Sequence, residues 1–231
     1  MKKIGMIGGL SWVSTAAYYR LINELTQKKL GGVSSAHLIL ESVNRQEYVE
    51  AVIDRGDEGA ACQIILEAAR SIERGGAEFI VISCNDVHRF VPAITPQIKI
   101  PFLHIAEATA EAITAAGIKS VALLGVRKTM EEPFYPDILK SHGIETIIPD
   151  EAEKTTIHDS IYNELVKNVF LDTTRARYVE IIRALQSRGA EGVILGCTEI
   201  PLLLSDDDVD VPAFSTTDIH CRAAIAEAIS Q

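Results

Sequence analysis

The stretch that decides the fold is GAEFIVISCNDV, residues 76–87, because it recurs in closely similar form as GAEGVILGCTEI, residues 189–200. Both copies open with Gly-Ala-Glu, continue through an apolar run, and reach a cysteine eight positions after the first glycine. A small polar residue, an acid and a β-branched aliphatic residue follow each cysteine. Cys84 and Cys197 are separated by about half of the 231-residue chain. This repeat predicts two half-domains, each of which presents one cysteine.

Strand-like and helix-like segments alternate along the chain. The clearest helix carries apolar residues at helical spacing from Ala61 to Ile72 and ends at Gly75-Gly76. Helices are also predicted after Ser11, as the N-cap residue, and from about Glu131 to Ser141. Because continuous apolar strands that alternate with helices are typical of parallel sheets, we expect an α/β fold with right-handed crossovers. The predicted strands are residues 3–8, 36–42, 79–83, 100–105, 120–125, 144–148, 193–196 and 211–214.

The repeat and the alternation together predict two pseudo-symmetric subdomains, each a mostly parallel sheet flanked by helices. We place the first subdomain at residues 1–98 with 208–231, and the second at residues 99–207. In open parallel sheets, ligands bind beyond the carboxyl ends of the strands, where Cys84 and Cys197 are both expected. If the two sheets face each other, the two thiols lie on opposite walls of one cleft, which we predict to be the active site.

Composition excludes several classes of function. With 47% hydrophobic and 23% charged residues, the chain has an ordinary globular composition. Its net charge of −10 argues against binding nucleic acid, which requires a basic surface. No apolar stretch approaches the roughly 20 residues that span a bilayer, and the glycines after Lys2-Lys3 argue against a signal peptide. We therefore expect a cytoplasmic protein with reduced thiols, in which Cys62 and Cys221 are inert core residues.

Two thiols on opposite walls of a cleft are suited to inverting a carbon that carries an acidic hydrogen. One face needs a base and the other an acid, and a thiolate and a thiol exchange these roles in one turnover. A free thiol has a pKa of about 8.5, which cations and helix N-termini lower. Asn85 and Thr198, which follow the cysteines, could donate hydrogen bonds to a substrate carboxylate. No cofactor is expected, since the sequence carries neither a PLP signature nor a nicotinamide-binding fingerprint.

A metal site is the main alternative use of these side chains. Cys84, His88 and Cys197 are metal-binding residue types, but no closely spaced Cys/His pair supports such a site, and we predict none. His88 lies one helical turn after Cys84 and could equally cap or pack. Asp86 and Glu199 could tune the thiols, although acids at helix starts are common for electrostatic reasons alone.

Further motifs extend the pattern over nearly the whole chain. They are IGGLSW at 7–12, Ser14-Thr15, Tyr18-Tyr19, CNDVH at 84–88, PFLHI at 101–105, LG at 124–125, Thr129-Met130 and GCTEI at 196–200. With these motifs the chain resembles the aspartate/glutamate racemase superfamily, and most closely the bacterial L-aspartate/glutamate-type racemases. The resemblance implies a cofactor-independent amino-acid racemase, two pseudo-symmetric α/β domains, a homodimer, and Cys84 and Cys197 as the acid/base pair.

The candidate substrate-binding residues follow from these motifs and from the residues beside the cysteines. They are Gly9, Ser11, Asn44, Arg45, Asn85, Asp86, Thr129, Thr156 and Thr198, and His88 and Glu199 are candidates for tuning the thiols.

Three of these positions depart from the pattern of the racemases that the chain resembles. Asp86 stands where the family usually has Thr, and Asn44 where it often has Asp. Thr156 stands where several members have a Lys that binds the substrate's second carboxylate, with Lys154 nearby but offset. Losing a cation and gaining an acid weakens binding of an acidic side chain. We therefore predict that aspartate is not the best substrate and that a neutral or basic amino acid is preferred.

Two other classes of function stay open. One is an enzyme of the same superfamily that uses one thiol as nucleophile or proton donor, similar to maleate isomerase or arylmalonate decarboxylase. The other is a catalytically inactive binding protein on this fold. The presence of both cysteines favours a racemase over a one-cysteine decarboxylase, but separates it less well from maleate isomerase.

Overall fold

The chain forms two α/β units, which the computed structural model describes over residues 1–230, apart from the side chain of Asp206. The first unit comprises Met1–His104 and the chain from His220, and the second comprises Ile105–Ile219. The division made from the sequence placed residues 208–231 with the first subdomain. In the structure, residues 213–215 instead form a strand of the second unit's sheet, and the chain re-enters the first unit at His220.

The first unit is built on a three-stranded parallel sheet in the order β2-β1-β3, formed by β1 (Ile4–Gly8), β2 (Leu38–Ser42) and β3 (Phe79–Ile82). Ile4 lies opposite both Leu38 and Phe79, which sets the register. The helical segments are α1 (Trp12–Leu30), α2 (Arg45–Val49), a π-helical turn (Glu50–Asp54), α3 (Glu58–Arg74), a 3-10 helix (Asp86–Phe90), α4 (Val91–Ile94) and a 3-10 turn (Thr95–Gln97).

Successive residues of β3 enter different cores of the first unit. Ile80 and Ile82 pack with the buried side of α3, whereas Phe79 and Val81 pack with Tyr18 of α1. This alternation follows from the two-residue period of a strand. Both faces of the sheet are therefore apolar, which explains why β1 and β3 are buried at every position.

The second unit contains a four-stranded parallel sheet in the order β5-β4-β6-β7. Its strands are β4 (Ser120–Leu124), β5 (Glu145–Ile147), β6 (Gly192–Leu195) and β7 (Ala213–Ser215). Its helical segments are α5 (Ile105–Ala115), α6 (Arg127–Glu131), α7 (Pro136–Ser141), α8 (Glu151–Asn163), a 3-10 turn (Leu165–Lys167), α9 (Asp172–Ser187), α10 (Ile200–Leu203), a 3-10 turn (Asp206–Asp208) and the start of α11 (Thr216–Ile229). None of the helices in the described part of the chain combines the length and apolar character needed to cross a membrane.

Most of the predicted elements are present, and Ser11 caps α1 as expected. The predicted strand at residues 100–105 is wrong, because only Phe102 bridges to the sheet, opposite Ile80, and α5 already begins at Ile105. Pro101 has no backbone N–H with which to extend the ladder. The helix predicted from about Glu131 to Ser141 is shorter than expected: α7 covers Pro136–Ser141, because α6 ends at Glu131 and Glu132, which precedes Pro133, is extended.

Gly5 of β1 is required by close packing. A Cβ atom added there would lie 2.1 Å from Ile72 Cγ2, 3.0 Å from Ala77 Cβ and 3.2 Å from Phe79 O. The β-carbon of an alanine therefore cannot enter without moving α3 away from the sheet.

We expect Gly5→Ala to destabilise the protein by about 1–3 kcal/mol, the usual cost of overpacking a filled core. Urea unfolding followed by circular dichroism measures the change. The matched control is Gly59→Ala at the exposed start of α3, where the nearest atom is an N-cap carboxylate oxygen at 3.3 Å. An unfolding midpoint for Gly5→Ala equal to that of the control would contradict the packing argument.

Candidate active site

Cys84 follows directly from the end of β3. The strand hydrogen bonds to β1 through Ser83, whose N–H donates to Ile7 O at 3.0 Å. Ser14 Oγ donates to Ser83 O at 2.9 Å, and Thr15 Oγ1 lies 3.1 Å from Ser83 Oγ. Thr15 Oγ1 also accepts from Gly9 N and donates to Ser11 O. Two predicted site residues, Gly9 and Ser11, are thus tied to the segment that carries Cys84.

Cys197 follows β6 in the same way, at a point where two backbone segments almost touch. A Cβ atom on Gly196 would lie 2.5 Å from Leu124 O, and one on Gly125 would lie 2.9 Å from Gly196 O. Thr129 packs against both of these glycines and is fully buried. Among the described residues, none shares a hydrogen bond with Thr129 Oγ1. The structure therefore brings the predicted site residue Thr129 to the loop that carries Cys197.

Each cysteine thiol contacts the carboxylate two residues further on. Cys84 Sγ lies 3.2 Å from Asp86 Oδ1, and Cys197 Sγ lies 3.0 Å from Glu199 Oε2. In this geometry the thiol is the donor, since an ionised carboxylate can only accept. The repeated sequence pattern thus produces the same thiol–carboxylate pair in both units.

The negative charge of Asp86 is balanced inside the first unit. Arg89 Nη1 lies 2.7 Å from Asp86 Oδ2, and the Arg89 guanidinium also contacts Glu58 Oε2 at 2.9 Å and 3.2 Å. Tyr48 OH is 3.4 Å from Asp86 Oδ2. Burial, and then the charge of Asp86, raises the pKa of Tyr48 above its ordinary value, so that it remains a neutral donor. Burial lowers the pKa of Arg89, but Asp86 and Tyr48 raise it by more. The net pKa lies above its ordinary value, and the guanidinium stays charged.

Glu199 has no such counterion. The residue is 2% exposed, and its Oε2 accepts hydrogen bonds from Cys197 Sγ and from Thr198 Oγ1 at 3.0 Å each. Within the part of the chain that the structure describes, Oε1 has no hydrogen-bond partner and Glu199 forms no ion pair. The two thiol–carboxylate pairs therefore have the same geometry but a different charge balance.

Asn44 and Arg45 lie at the start of α2. Asn44 is the N-cap residue of this helix, with its Oδ1 accepting from Gln46 N, so its side chain is engaged locally. Arg45 Nη1 donates to Leu10 O, which connects it to the loop of Gly9 and Ser11. Arg45 is thus brought to the candidate site, and Asn44 serves the helix.

Thr156 lies on α8 and is half-buried. Its Oγ1 donates to Ala152 O at 3.0 Å. It lines a surface depression of about 260 Å³ together with Asn163, Thr174 and Arg177, and Cys197 is not among the residues of that depression. Lys154 contacts Glu131 at 2.7 Å and Glu151 at 2.9 Å.

Asn85 and Thr198 are both buried beside the cysteines. Because Thr198 Oγ1 donates to Glu199 Oε2, its proton is not directed at a substrate. The helices that follow are short, namely the 3-10 helix Asp86–Phe90 after Asn85 and α10 after Thr198. The expectation that helix N-termini lower the thiol pKa values therefore has little support, because so few peptide dipoles are aligned.

His88 is fully buried and contacts the main chain at Cys84, with Nδ1 2.8 Å from the Cys84 carbonyl oxygen. Its ring packs edge-on against His104 and His220, at centroid distances of 4.8 Å and 5.6 Å. Leaving aside the undescribed Asp206 side chain and position 231, no group of three His, Cys, Asp or Glu residues is arranged to hold a metal ion.

Comparisons with known proteins show the family and the fold of the chain. Residues 7–224 match the sequence model of the Asp/Glu/Hydantoin racemase family. The chain is 24% identical over 230 residues to the broad-specificity amino-acid racemase RacX of Bacillus subtilis, with 96% of each chain covered. It superimposes over the full length of both chains on a candidate Asp/Glu racemase from Yersinia pestis (43% identity, TM-score 0.91) and on an aspartate racemase homologue from Pyrococcus horikoshii (34% identity, TM-score 0.86). The chain belongs to the Asp/Glu/Hydantoin racemase family.

This membership confirms the family predicted from the sequence and the predicted class of enzyme, an isomerase of the racemase type. The structural matches also confirm the α/β fold with two parallel sheets flanked by helices. For this racemase, the roles of individual site residues stay predictions.

Sequence reasoning missed the residues around Asp86. Arg89 lies three positions after Asp86, a spacing at which helical side chains meet, and this signal was available. Glu58 and Tyr48 are distant in sequence, and no local pattern points to them. The racemase thus contains a buried charge network that only the tertiary structure reveals.

We expect Arg89→Leu to destabilise this racemase by about 3 kcal/mol, since it leaves the buried Asp86 carboxylate without its cation. Asp86→Asn is expected to cost less, and the double variant to recover part of the loss. Urea unfolding of the four proteins gives the coupling energy. The control is Arg177→Leu, which breaks an exposed pair with Glu180. A loss at Arg89 no greater than that of the control would show that the network is not needed for stability.

Proposed function

We propose that this racemase inverts the α-carbon of a free amino acid by a two-base mechanism in which Cys84 and Cys197 are the acid/base groups. No pyridoxal phosphate or other cofactor takes part in this proposal. The observation that carries it is the repeated thiol–carboxylate pair at the carboxyl end of a buried parallel strand. Sheet edges of this kind are where α/β enzymes bind their ligands.

The proton transfers balance without any other reactant. In one direction the Cys84 thiolate takes the Cα hydrogen as a proton, and the electron pair of the C–H bond stays on the substrate. The Cys197 thiol then donates its proton to the opposite face of the same carbon. The products are the inverted amino acid, a Cys84 thiol and a Cys197 thiolate, and the reverse reaction restores the starting state. The mechanism requires both sulfur atoms to reach opposite faces of one carbon.

Other residues of the proposal bind the substrate or tune the thiols. Gly9 and Ser11 hold a loop next to Cys84, and Thr129 offers a buried hydroxyl next to Cys197. Glu199 is the acceptor for the Cys197 proton. A homodimer, which the family resemblance implies, and a cytoplasmic location, which the composition of the chain favours, belong to the same proposal.

Solvent exchange tests the mechanism. In D₂O, the wild-type enzyme should introduce deuterium at Cα of its amino-acid substrate, as followed by proton NMR over a panel of amino acids. Cys84→Ser and Cys197→Ser should each abolish racemisation, because a serine hydroxyl is far too weak an acid to replace a thiol.

The matched control is Cys62→Ser, which changes a cysteine of α3 that we place outside the mechanism and should leave racemisation intact. Absence of exchange with every amino acid would contradict the proposal. That outcome favours an enzyme similar to maleate isomerase or a decarboxylase, or a binding protein.

The charges of the described residues favour a neutral substrate side chain. Arg89 is engaged by Asp86 and Glu58, and Lys154 by Glu131 and Glu151. To bind Arg89 or Lys154, an acidic side chain would have to displace one of these internal carboxylates. From the sequence, Asp86 is expected to repel an acidic side chain. In the structure Arg89 balances its charge, so this repulsion is weaker than expected. The broad-specificity name of the Bacillus subtilis relative is consistent with a substrate other than aspartate.

We expect a neutral amino acid to rank above aspartate and glutamate in kcat/KM over a substrate panel. Asp86→Thr should shift the ratio of aspartate to the best neutral substrate about tenfold toward aspartate, equivalent to about 1.4 kcal/mol, because it removes one of the two acids that engage Arg89. Asp137→Thr, at an exposed position of α7, is the control. Aspartate or glutamate at the top of the wild-type ranking would refute this part of the proposal.

A further inference from the structure

The His88 side chain is bonded to the peptide backbone at the first cysteine. Its Nδ1 lies 2.8 Å from the carbonyl oxygen of Cys84 and 3.3 Å from that of Asn85. Carbonyl oxygens only accept hydrogen bonds, so Nδ1 must carry a proton. Nε2 is buried and has no hydrogen-bond partner among the described residues. An N–H at that position would be buried without an acceptor, and the ring is therefore the neutral Nδ1–H tautomer.

The surroundings of His88 keep its ring neutral. Burial, followed by the proximity of His104 and His220, holds the pKa of His88 well below its usual value. His220 is neutral for the same principal reason, since burial lowers its pKa to about 4. His220 Nε2 donates to Leu103 O at 2.9 Å, and its Nδ1 lies 3.0 Å from Tyr18 OH, which donates to it. His88 is thus neither a charge that could stabilise a thiolate nor a group that releases a proton near neutral pH.

The second half of the repeat lacks this device. The residue four positions after Cys197 is Pro201, which offers no side-chain donor. There the Cys197 carbonyl oxygen accepts from the backbone N–H of Ile200 at 3.0 Å. A histidine side chain holds the carbonyl of one cysteine, and a backbone amide holds that of the other.

We propose that His88 is a positioning residue for Cys84: its Nδ1–H fixes the Cys84 carbonyl and thereby the direction in which Cys84 presents its thiol. This inference rests on the proposed function, in which Cys84 is one of the two acid/base groups. This hydrogen bond ties the main chain at Cys84 to a side chain four residues further on, and β3 holds the chain before it. Together the two restrain the backbone torsions of Cys84, which set the direction of its Cα–Cβ bond. Catalysis is sensitive to such errors, because a misplacement of about 1 Å can cost about 100-fold in rate.

The test compares three replacements of His88. His88→Asn keeps an amide donor at the position of Nδ1, His88→Gln carries its amide at the position of Nε2, and His88→Leu removes the donor. We expect the Leu and Gln variants to lose about 10- to 100-fold in kcat with little change in KM, and the Asn variant to recover most of the rate. The control is Tyr18→Phe, which removes a hydrogen bond of His220 without touching Cys84 and should lower thermal stability but not kcat.

Alkylation provides a readout that does not depend on racemisation. Each protein is treated with iodoacetamide, and mass spectrometry of peptides gives the rate at Cys84 relative to that at Cys197 in the same molecule. The ratio should change severalfold in the Leu and Gln variants and return toward wild type in the Asn variant. If the Leu variant does not fold, the comparison of Asn with Gln decides.

A wild-type ratio and kcat in the Leu or Gln variant would overturn the positioning role, as would losses that only follow thermal stability across all four variants. If the wild-type protein racemises no amino acid, the proposed function fails, and the alkylation ratio still decides whether His88 orients Cys84.

Discussion

The hydrogen bond from each thiol to the carboxylate two residues further on sets the local arrangement of both units. To form this hydrogen bond, the chain must turn immediately after a buried strand. The turn lies at the edge of the sheet, where the backbone of the neighbouring strand is close. In the second unit this closeness leaves no space for a side chain at Gly196, where an added Cβ would lie 2.5 Å from Leu124 O. In the first unit, Ser14 and Thr15 of α1 hold Ser83 directly before Cys84. The sheets, and not the short helices that follow, position the sulfur atoms.

The same geometry carries different electrostatics in the two halves. Arg89, of which only 6% of the side chain is exposed, balances Asp86 and ties it to Glu58 on α3. Glu199 is equally enclosed but has no cation among the described residues. Burying a carboxylate is costly unless it is paired. Of the two acids, Glu199 is therefore the one whose burial costs more free energy. The acid that Cys84 contacts is paired with a cation, and the acid that Cys197 contacts is not paired with one among the described residues.

The extent to which the sequence predicts this protein depends on how local each feature is. The repeat around Cys84 and Cys197 correctly predicts a strand followed by a turn that carries the cysteine, because all of these features lie within a dozen residues. The strand predicted at residues 100–105 is wrong because strand formation depends on a neighbouring strand with which to pair. In this segment only Phe102 forms a bridge, to Ile80. The sequence also does not reveal that Glu58 belongs to the charge network of Asp86, since Glu58 meets Arg89 only after α3 has packed on the sheet. Thr156 stands where several of the racemases that the chain resembles have a lysine, and its contact with the substrate stays a prediction; in the structure it lines a surface depression on α8.

His88 and Pro201 show how a repeated frame becomes specialised. The repeated strand and turn fix the position of each cysteine in the chain. The carbonyl oxygen of each cysteine also needs a hydrogen-bond donor. A proline at the equivalent position of the second unit is acceptable because the amide of Ile200 already serves that carbonyl. In the first unit the donor is the His88 ring, which is buried against His104 and His220. The orientation of Cys84 therefore depends on how His88 packs against His104 and His220, whereas the carbonyl of Cys197 is bonded within its own loop.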